Sequence, residues 1–270
     1  MMFRILGLAV ASVALLACQP GSDNATDDQP EAAAEAIAAV VSPAERIAAV
    51  IAAIPGRSEE EAARDTDRQP AEVLAFLGLE QGMTVLEVMA SGGWYSEVLS
   101  AAVGPEGKVI VQNPPSMLKF RDGAADKALK ARFADNRLGN VERIDADLVD
   151  MGVAPGSVDF VLTALNFHDI YHLVSPEAAA AALEYIATAL KPGGVLGIVD
   201  HAGSPDGDNK SLHRIDPQVV KDLIEQSSLV LEAESGILRH QNDDMTGMVF
   251  GPEIRGKTHR FVFRLRKPSA

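Results

Sequence analysis

Two His–Asp neighbours carry the chemistry this sequence offers most plainly. His168 and Asp169 follow Asn166 closely, and Asp200 directly precedes His201. Histidine is the side chain whose unperturbed proton affinity falls near neutral pH, which makes His168 a candidate general base. Asp169 or Asp200 could orient an imidazole and stabilise its charged form. Asn166 could position an amine or hydroxyl. His213, in Leu212-His213-Arg214, offers a third imidazole. Histidines with carboxylates also bind divalent cations. Their spacing here fits no short metal motif, so acid–base work is preferred and no metal is expected. The same residue types cap helices and fix loops. A single loop histidine does no more than that as a rule, whereas two His–Asp neighbours argue for function.

The elements that must hold these residues alternate between helix and strand. Ala44–Ile54 has Ile47, Ile51 and Ile54 on one helical face, and Pro55-Gly56 ends it. Pro70–Leu77 reads as a short helix with Pro in its first turn. Strands are predicted at 84–89, 108–112, 141–145, 158–164, 195–201, 229–234 and 260–266. Helices are predicted at 94–102, 116–133, 176–190 and 217–227. Lys191-Pro192-Gly193-Gly194 is read as the stop signal of the third of these helices. The alternation implies right-handed crossovers and a mainly parallel sheet covered on both faces. Asn166–Asp169 then follows the fourth strand, and Asp200-His201 ends the fifth. Residues 240–256 form a long insertion between the last two strands, of the kind that shapes a pocket.

The bulk composition excludes some partners. Among 270 residues, 38 Asp and Glu outnumber 24 Lys and Arg, for a formal net charge of −14. That surface repels phosphate backbones, and no Lys/Arg-rich run offsets it, so no nucleic-acid partner is expected. The one cysteine, Cys18, allows no internal disulfide. Its position carries an address instead. Arg4 precedes an apolar run from Ile5 to Ala17, too short to span a bilayer comfortably and suited to a secretory signal. Leu15-Leu16-Ala17-Cys18 resembles the lipobox of bacterial lipoproteins, where the cysteine becomes the acylated N-terminus. The expected organisation is a signal peptide at 1–17, a tether at 18–42 rich in Ala, Glu, Asp and Pro, and an α/β domain at 43–270. Gln19 in place of Asp suggests the periplasmic face of the outer membrane.

The order of motifs from Pro70 to Lys267 resembles class I S-adenosylmethionine-dependent methyltransferases. Val85-Leu86-Glu87-Val88-Met89-Ala90-Ser91-Gly92-Gly93-Trp94 resembles their first motif, and Leu190-Lys191-Pro192-Gly193-Gly194 the segment before their fifth strand. Gly92-Gly93-Trp94-Tyr95, Asn166–Asp169 and Val199-Asp200-His201 are similar to an exported subgroup of predicted methyltransferases. The resemblance implies a Rossmann-like doubly wound, seven-stranded, mainly parallel sheet with one antiparallel strand. It implies S-adenosylmethionine as cofactor, with Glu87 meeting the ammonium group and Gly92 and Gly93 admitting the methionine part. Gln112 and Asn113 stand where the family places an acidic ribose ligand, and Asp147 is the candidate for the adenine amino group. The ends of the fourth and fifth strands are neighbours in that fold, so His168, Asp169 and Asn166 should meet Asp200 and His201. The reaction implied is methyl transfer to a small or medium nucleophile, with His168 as base. The altered cofactor motif keeps a repurposed binding protein in play, and the His/Asp cluster a metal-assisted hydrolase. Arg64, Asp65 and Arg68 could cover the cofactor or form a solvated segment; Trp94 and Tyr95 could line the crevice or pack beneath the sheet.

Overall fold

The computed structural model describes residues 41–269. The signal segment, Cys18 and the tether up to residue 40 lie outside the described residues. Ser42–Ala270 forms one compact unit. No helix among the described residues is long and apolar enough to cross a membrane.

The unit opens with α1 (Pro43–Ala52), set by a complete capping box: Ser42 caps the Glu45 N–H, and Glu45 returns to the Ser42 backbone. Two short helices, α2 (Glu59–Ala63) and α3 (Asp65–Arg68), lead into α4 (Pro70–Leu77). The sheet follows: β1 (Thr84–Val88), β2 (Lys108–Gln112), β3 (Val141–Ile144), β4 (Val158–Ala164), β5 (Leu190–His201), β6 (Val230–Ser235) and β7 (Arg260–Arg266). Its order is β3-β2-β1-β4-β5-β7-β6. β1 to β5 run parallel, and β7 is antiparallel to both of its neighbours. This is the seven-stranded doubly wound architecture expected from the sequence.

Crossover helices cover both faces. They are α5 (Trp94–Val103), α6 (Pro115–Phe133), α8 (Pro176–Ala189) and α10 (Pro217–Glu225), with the short α7 (Phe167–Asp169) and α9 (Asn209–Leu212) at loop positions. Side chains alternate across each strand, which divides the core in two. Val85, Val109, Phe160 and Leu162 pack with α1, α4 and α5 on one face; Leu86, Val161, Leu196 and Ile198 pack with α8 and α10 on the other. Gly197 is what lets α4 lie close to β5, since a Cβ there would sit 2.6 Å from Leu77 Cδ1.

Two local readings change. The helix expected over 116–133 is two helical pieces, broken where Phe120–Gly123 leave helical geometry. α8 ends at Ala189, and Leu190 already pairs with Val158, so Lys191–Gly194 belongs to the entry of β5. Lys191 caps no helix; its Nζ pairs with Asp159 at 2.6 Å. The charged segment 59–68, for which the sequence predicts no element, forms the short helices α2 and α3.

Candidate functional site

Expected site residues gather at the carboxyl ends of β1, β2, β4 and β5, the edge where doubly wound sheets bind ligands. On the β1 side, Met89 and Ser91 both adopt φ 53°, a left-handed conformation that favours glycine. The end of β2 holds them there. Gln112 Oε1 accepts the Met89 N–H at 3.0 Å, and Asn113 Oδ1 accepts the Ser91 N–H at 2.7 Å. Gln112 Nε2 donates to Ala146 O, and Asn113 Nδ2 to Ser91 O. Both amides are fully buried. The residues expected to hold a ribose thus clamp the turn beneath it, because their side chains reach the neighbouring strand's loop.

The two glycines of the turn serve packing as well. A Cβ on Gly93, at φ +77°, would lie 2.8 Å from Leu129 Cδ2, and one on Gly92 would lie 3.1 Å from Ala128 Cβ. Their absence lets α6 pack onto the turn. Glu87 is buried at the end of β1 and accepts the Ser96 hydroxyl at 2.5 Å. Burial pushes its carboxyl up to about 8, outweighing Ser96, Arg132 and Arg68, so it is neutral at pH 7. Trp94 and Tyr95 are core residues, packed edge to face at 4.7 Å. Arg68 lies 4.4 Å over the Trp94 ring, and Trp94 Nε1 donates to Glu61 O, so the segment around Arg64, Asp65 and Arg68 sits on the start of α5. Asp147 is exposed after β3 and caps nothing with its side chain.

On the β4–β5 side the expected residues do converge. Asp200, fully buried near the end of β5, receives three hydrogen bonds. Its Oδ2 accepts the His168 backbone N–H at 2.8 Å, and its Oδ1 faces His168 Nδ1 at 2.8 Å and accepts the His201 N–H at 2.7 Å. His168 Nδ1 is thereby fixed and Nε2 is left over. Nε2 lies 3.3 Å from Asp169 Oδ1, and His213 Nδ1 lies 3.5 Å from that same oxygen. Asn166 bridges the two halves of the edge by donating to Met89 O and Ala164 O.

Burial opposes charge on His168, but the carboxylates of Asp200 and Asp169 outweigh it and raise the imidazole to about 10. Without a ligand His168 holds its proton at neutral pH, so it is not a free base there. Burial likewise opposes charge on Asp169, yet His168 and His213 keep its carboxyl below the usual range. His201 differs. Its Nδ1 is taken by Thr258 Oγ1 at 2.7 Å, and burial with Arg260 nearby drives it well below 6.5. It packs as a neutral ring 5.9 Å from His168.

The frame around this cluster contains residues that sequence reasoning missed. Arg214 and Asp243 form a fully buried bidentate pair, 2.9 Å on both arms. Asp243 also accepts the backbone N–H groups of His259 and Met245. This ties the 240–256 insertion to the residue after His213, and Phe250 of that insertion lies 4.9 Å from the His213 ring. No spacing rule links residues 214 and 243. An open groove of about 830 Å³ lies at the opposite, amino end of β2 and β3, lined by Ser100, Gly104, Lys108 and Asn140, away from every candidate residue.

The fold recurs among solved structures. A SAM-dependent methyltransferase from Aquifex aeolicus shares it at TM-score 0.55 and 22% identity, over 73% of this chain and 89% of that one. A putative sarcosine dimethylglycine methyltransferase from Galdieria sulphuraria does so at 0.56 and 16%, over 80% and 90%. The [4+2]-cyclase SpnF does so at 0.56 and 15%, over 80% and 84%. No curated protein matches the sequence. Residues 86–198, from β1 into β5, match the family model of a methyltransferase domain, and the sheet built around them has the architecture of the methyltransferases above.

Proposed function

We propose that the protein is an S-adenosylmethionine-dependent methyltransferase acting on a small or medium molecule bound at the His168–Asp169–His213 end of the strand edge. The observation that carries this reading is the methyltransferase-domain match over residues 86–198, which spans both halves of that edge. The residues present fit the cofactor in part. Glu87, at the end of β1, would meet its ammonium group, and Asp147, which caps nothing, would meet the adenine, as the resemblance implies. Gln112 and Asn113 could hold the ribose only by giving up the turn, so the nucleoside would rest on other groups.

When bound, the cofactor supplies an electrophilic methyl group. The protein's task is then to hold an acceptor in line with it. His168 Nε2, Asp169 Oδ1 and His213 Nδ1 face one another and would position the acceptor's polar heteroatom. Asp200 fixes the His168 ring, and Asn166 ties this end to the cofactor turn. Glu87, protonated by burial, would ionise to hold the cofactor's ammonium group and lose its proton to solvent near neutral pH. The net charge of −14 supports a small-molecule acceptor over a nucleic acid. The sequence further supports export and acylation at Cys18, with the folded unit held at the cell envelope; Cys18→Ser should then release the protein from the membrane fraction.

Calorimetric titration of Ser42–Ala270 with S-adenosylmethionine and S-adenosylhomocysteine tests the reading. Micromolar binding is expected, with a heat that changes with the buffer's ionisation enthalpy because a proton is released. Absence of binding at about millimolar ligand would favour a second reading, a repurposed binding protein on the same fold. The burial of Gln112 and Asn113 in internal bonds is the observation on that side, and SpnF, a cyclase, shares this fold.

A further inference from the structure

We infer that His168, Asp169 and His213 form a binding site for one divalent transition-metal ion. The donor atoms of the three residues lie within 4.8 Å of one another. Two of the three separations are 3.3 and 3.5 Å, both measured to Asp169 Oδ1. A tetrahedral ion with bonds of about 2.0–2.1 Å spaces its ligand atoms by ~3.3 Å, so these separations suit a common centre.

A second observation is independent of the spacing. His168 Nε2 and Asp169 Oδ1 are both buried, and neither has a hydrogen-bond partner. The side chain of His168 is 96% buried, with 4% exposed. The two atoms face each other at 3.3 Å as an ion pair that lacks hydrogen-bond geometry, so both keep bonding capacity for a third body. An ion between them and His213 takes up that capacity.

The surroundings are those of a metal ligand. His168 presents Nε2 while its Nδ1 faces the buried Asp200 carboxylate at 2.8 Å. That carboxylate–histidine pairing fixes the ring and strengthens it as a ligand. His213 is steadied from behind by the Arg214–Asp243 pair and by Phe250. Two imidazoles and one carboxylate suit zinc, ferrous iron or manganese rather than the all-oxygen shells of magnesium and calcium. Three protein ligands leave coordination positions for an exogenous group. Asp169 and His213 remain 24% and 31% exposed, so that group can enter from the solvent side. The class of ligand implied is a small molecule with an anionic oxygen, a nitrogen or a sulfur that can bind the ion directly. Metal binding does not depend on methyl transfer; the two share only the location.

The test is direct titration of the metal-stripped full chain with Zn²⁺, and with Co²⁺ as the spectroscopic probe. One equivalent should bind, with the visible bands of a low-coordinate cobalt centre. Asp200→Asn should weaken binding by about 10–100-fold, the effect of losing an outer-shell partner. His213→Ala and the nearly isosteric Asp169→Asn should weaken it by more. His172→Ala, whose ring nitrogen is already held by Arg214 O, should bind as the parent does. No stoichiometric binding by the parent chain would overturn the inference, and so would binding that survives both Asp169→Asn and His213→Ala. Cofactor titration in the presence of a chelator separates this outcome from failure of the methyltransferase reading.

Discussion

The two halves of the strand edge use polar residues in opposite ways. At the ends of β1 and β2, the amides of Gln112 and Asn113 are buried, and their donors and acceptors are engaged in holding a strained turn. At the ends of β4 and β5, the atoms His168 Nε2 and Asp169 Oδ1 are buried, although the Asp169 side chain is partly exposed, and neither has a hydrogen-bond partner. A buried polar group costs free energy unless it is paired. The first half is satisfied internally by hydrogen bonds, whereas the second rests on ion pairs at 3.3 and 3.5 Å and keeps bonding capacity for a ligand. Site residues are therefore better recognised by what remains unsatisfied than by residue type.

The largest effect should come from the frame that supports the second half. Asp243→Ala leaves Arg214 charged, fully buried and unpaired, which costs about 3–5 kcal/mol. Denaturant unfolding would show it. A loss below about 1 kcal/mol would mean that water reaches the pair and that the insertion is not pinned as described.

The first half can be probed through pH. Folded, Glu87 keeps its proton up to about pH 8; unfolded, it releases it near 4.5. Between these values the unfolded chain holds fewer protons than the folded one, so Glu87 makes stability fall as pH rises. The slope is up to ~1.4 kcal/mol per pH unit across that window. Glu87→Gln cannot ionise and should remove this slope, gaining on the parent as pH rises. Parallel stability curves for the two proteins would show that Glu87 is ionised at neutral pH.

Much of this arrangement was legible in the sequence, and the boundary of legibility is physical. Apolar strands such as Phe160-Val161-Leu162, preceded by Pro155-Gly156, marked the sheet's parallel part, and two neighbouring strands carried His168 to Asp200. The break in α6 was not legible, since Phe120, Arg121 and Asp122 carry no signal for leaving a helix beyond the single Gly123. The task of Gln112 was hidden for a different reason. Whether an amide faces a ligand or the next strand's turn depends on the β1–β2 register and on the left-handed Met89, neither of which is a property of residue type. Arg214 and Asp243 meet only because the long insertion folds back over the site.

A smaller loss is expected when the clamp on the first half is cut. Asn113→Ala removes the partner of the Ser91 N–H and C=O, at a cost of about 1–3 kcal/mol. Hydrogen exchange at Ser91 should accelerate by more than the global loss of stability explains. Exchange that merely tracks global unfolding would remove Asn113 from the clamp.

The smallest effect on stability, and the sharpest contrast with Asn113, belongs to Asp169→Asn. The carboxylate pairs with His168 and His213 without hydrogen-bond geometry to His168, so replacing it by an amide of equal size removes charge attraction but leaves the packing in place. The unfolding free energy should fall by no more than about 1 kcal/mol, the worth of a partly exposed ion pair. Ligand binding at this end of the edge should fall sharply all the same, because the oxygen shared by both imidazoles has become neutral. Stability and function would then separate at residue 169 and move together at residue 113. A large loss of stability in Asp169→Asn would reverse the argument: it would show that the His168–Asp169–His213 cluster holds the loops together, and that its unpaired atoms mark a structural ion pair rather than a place kept open for a ligand.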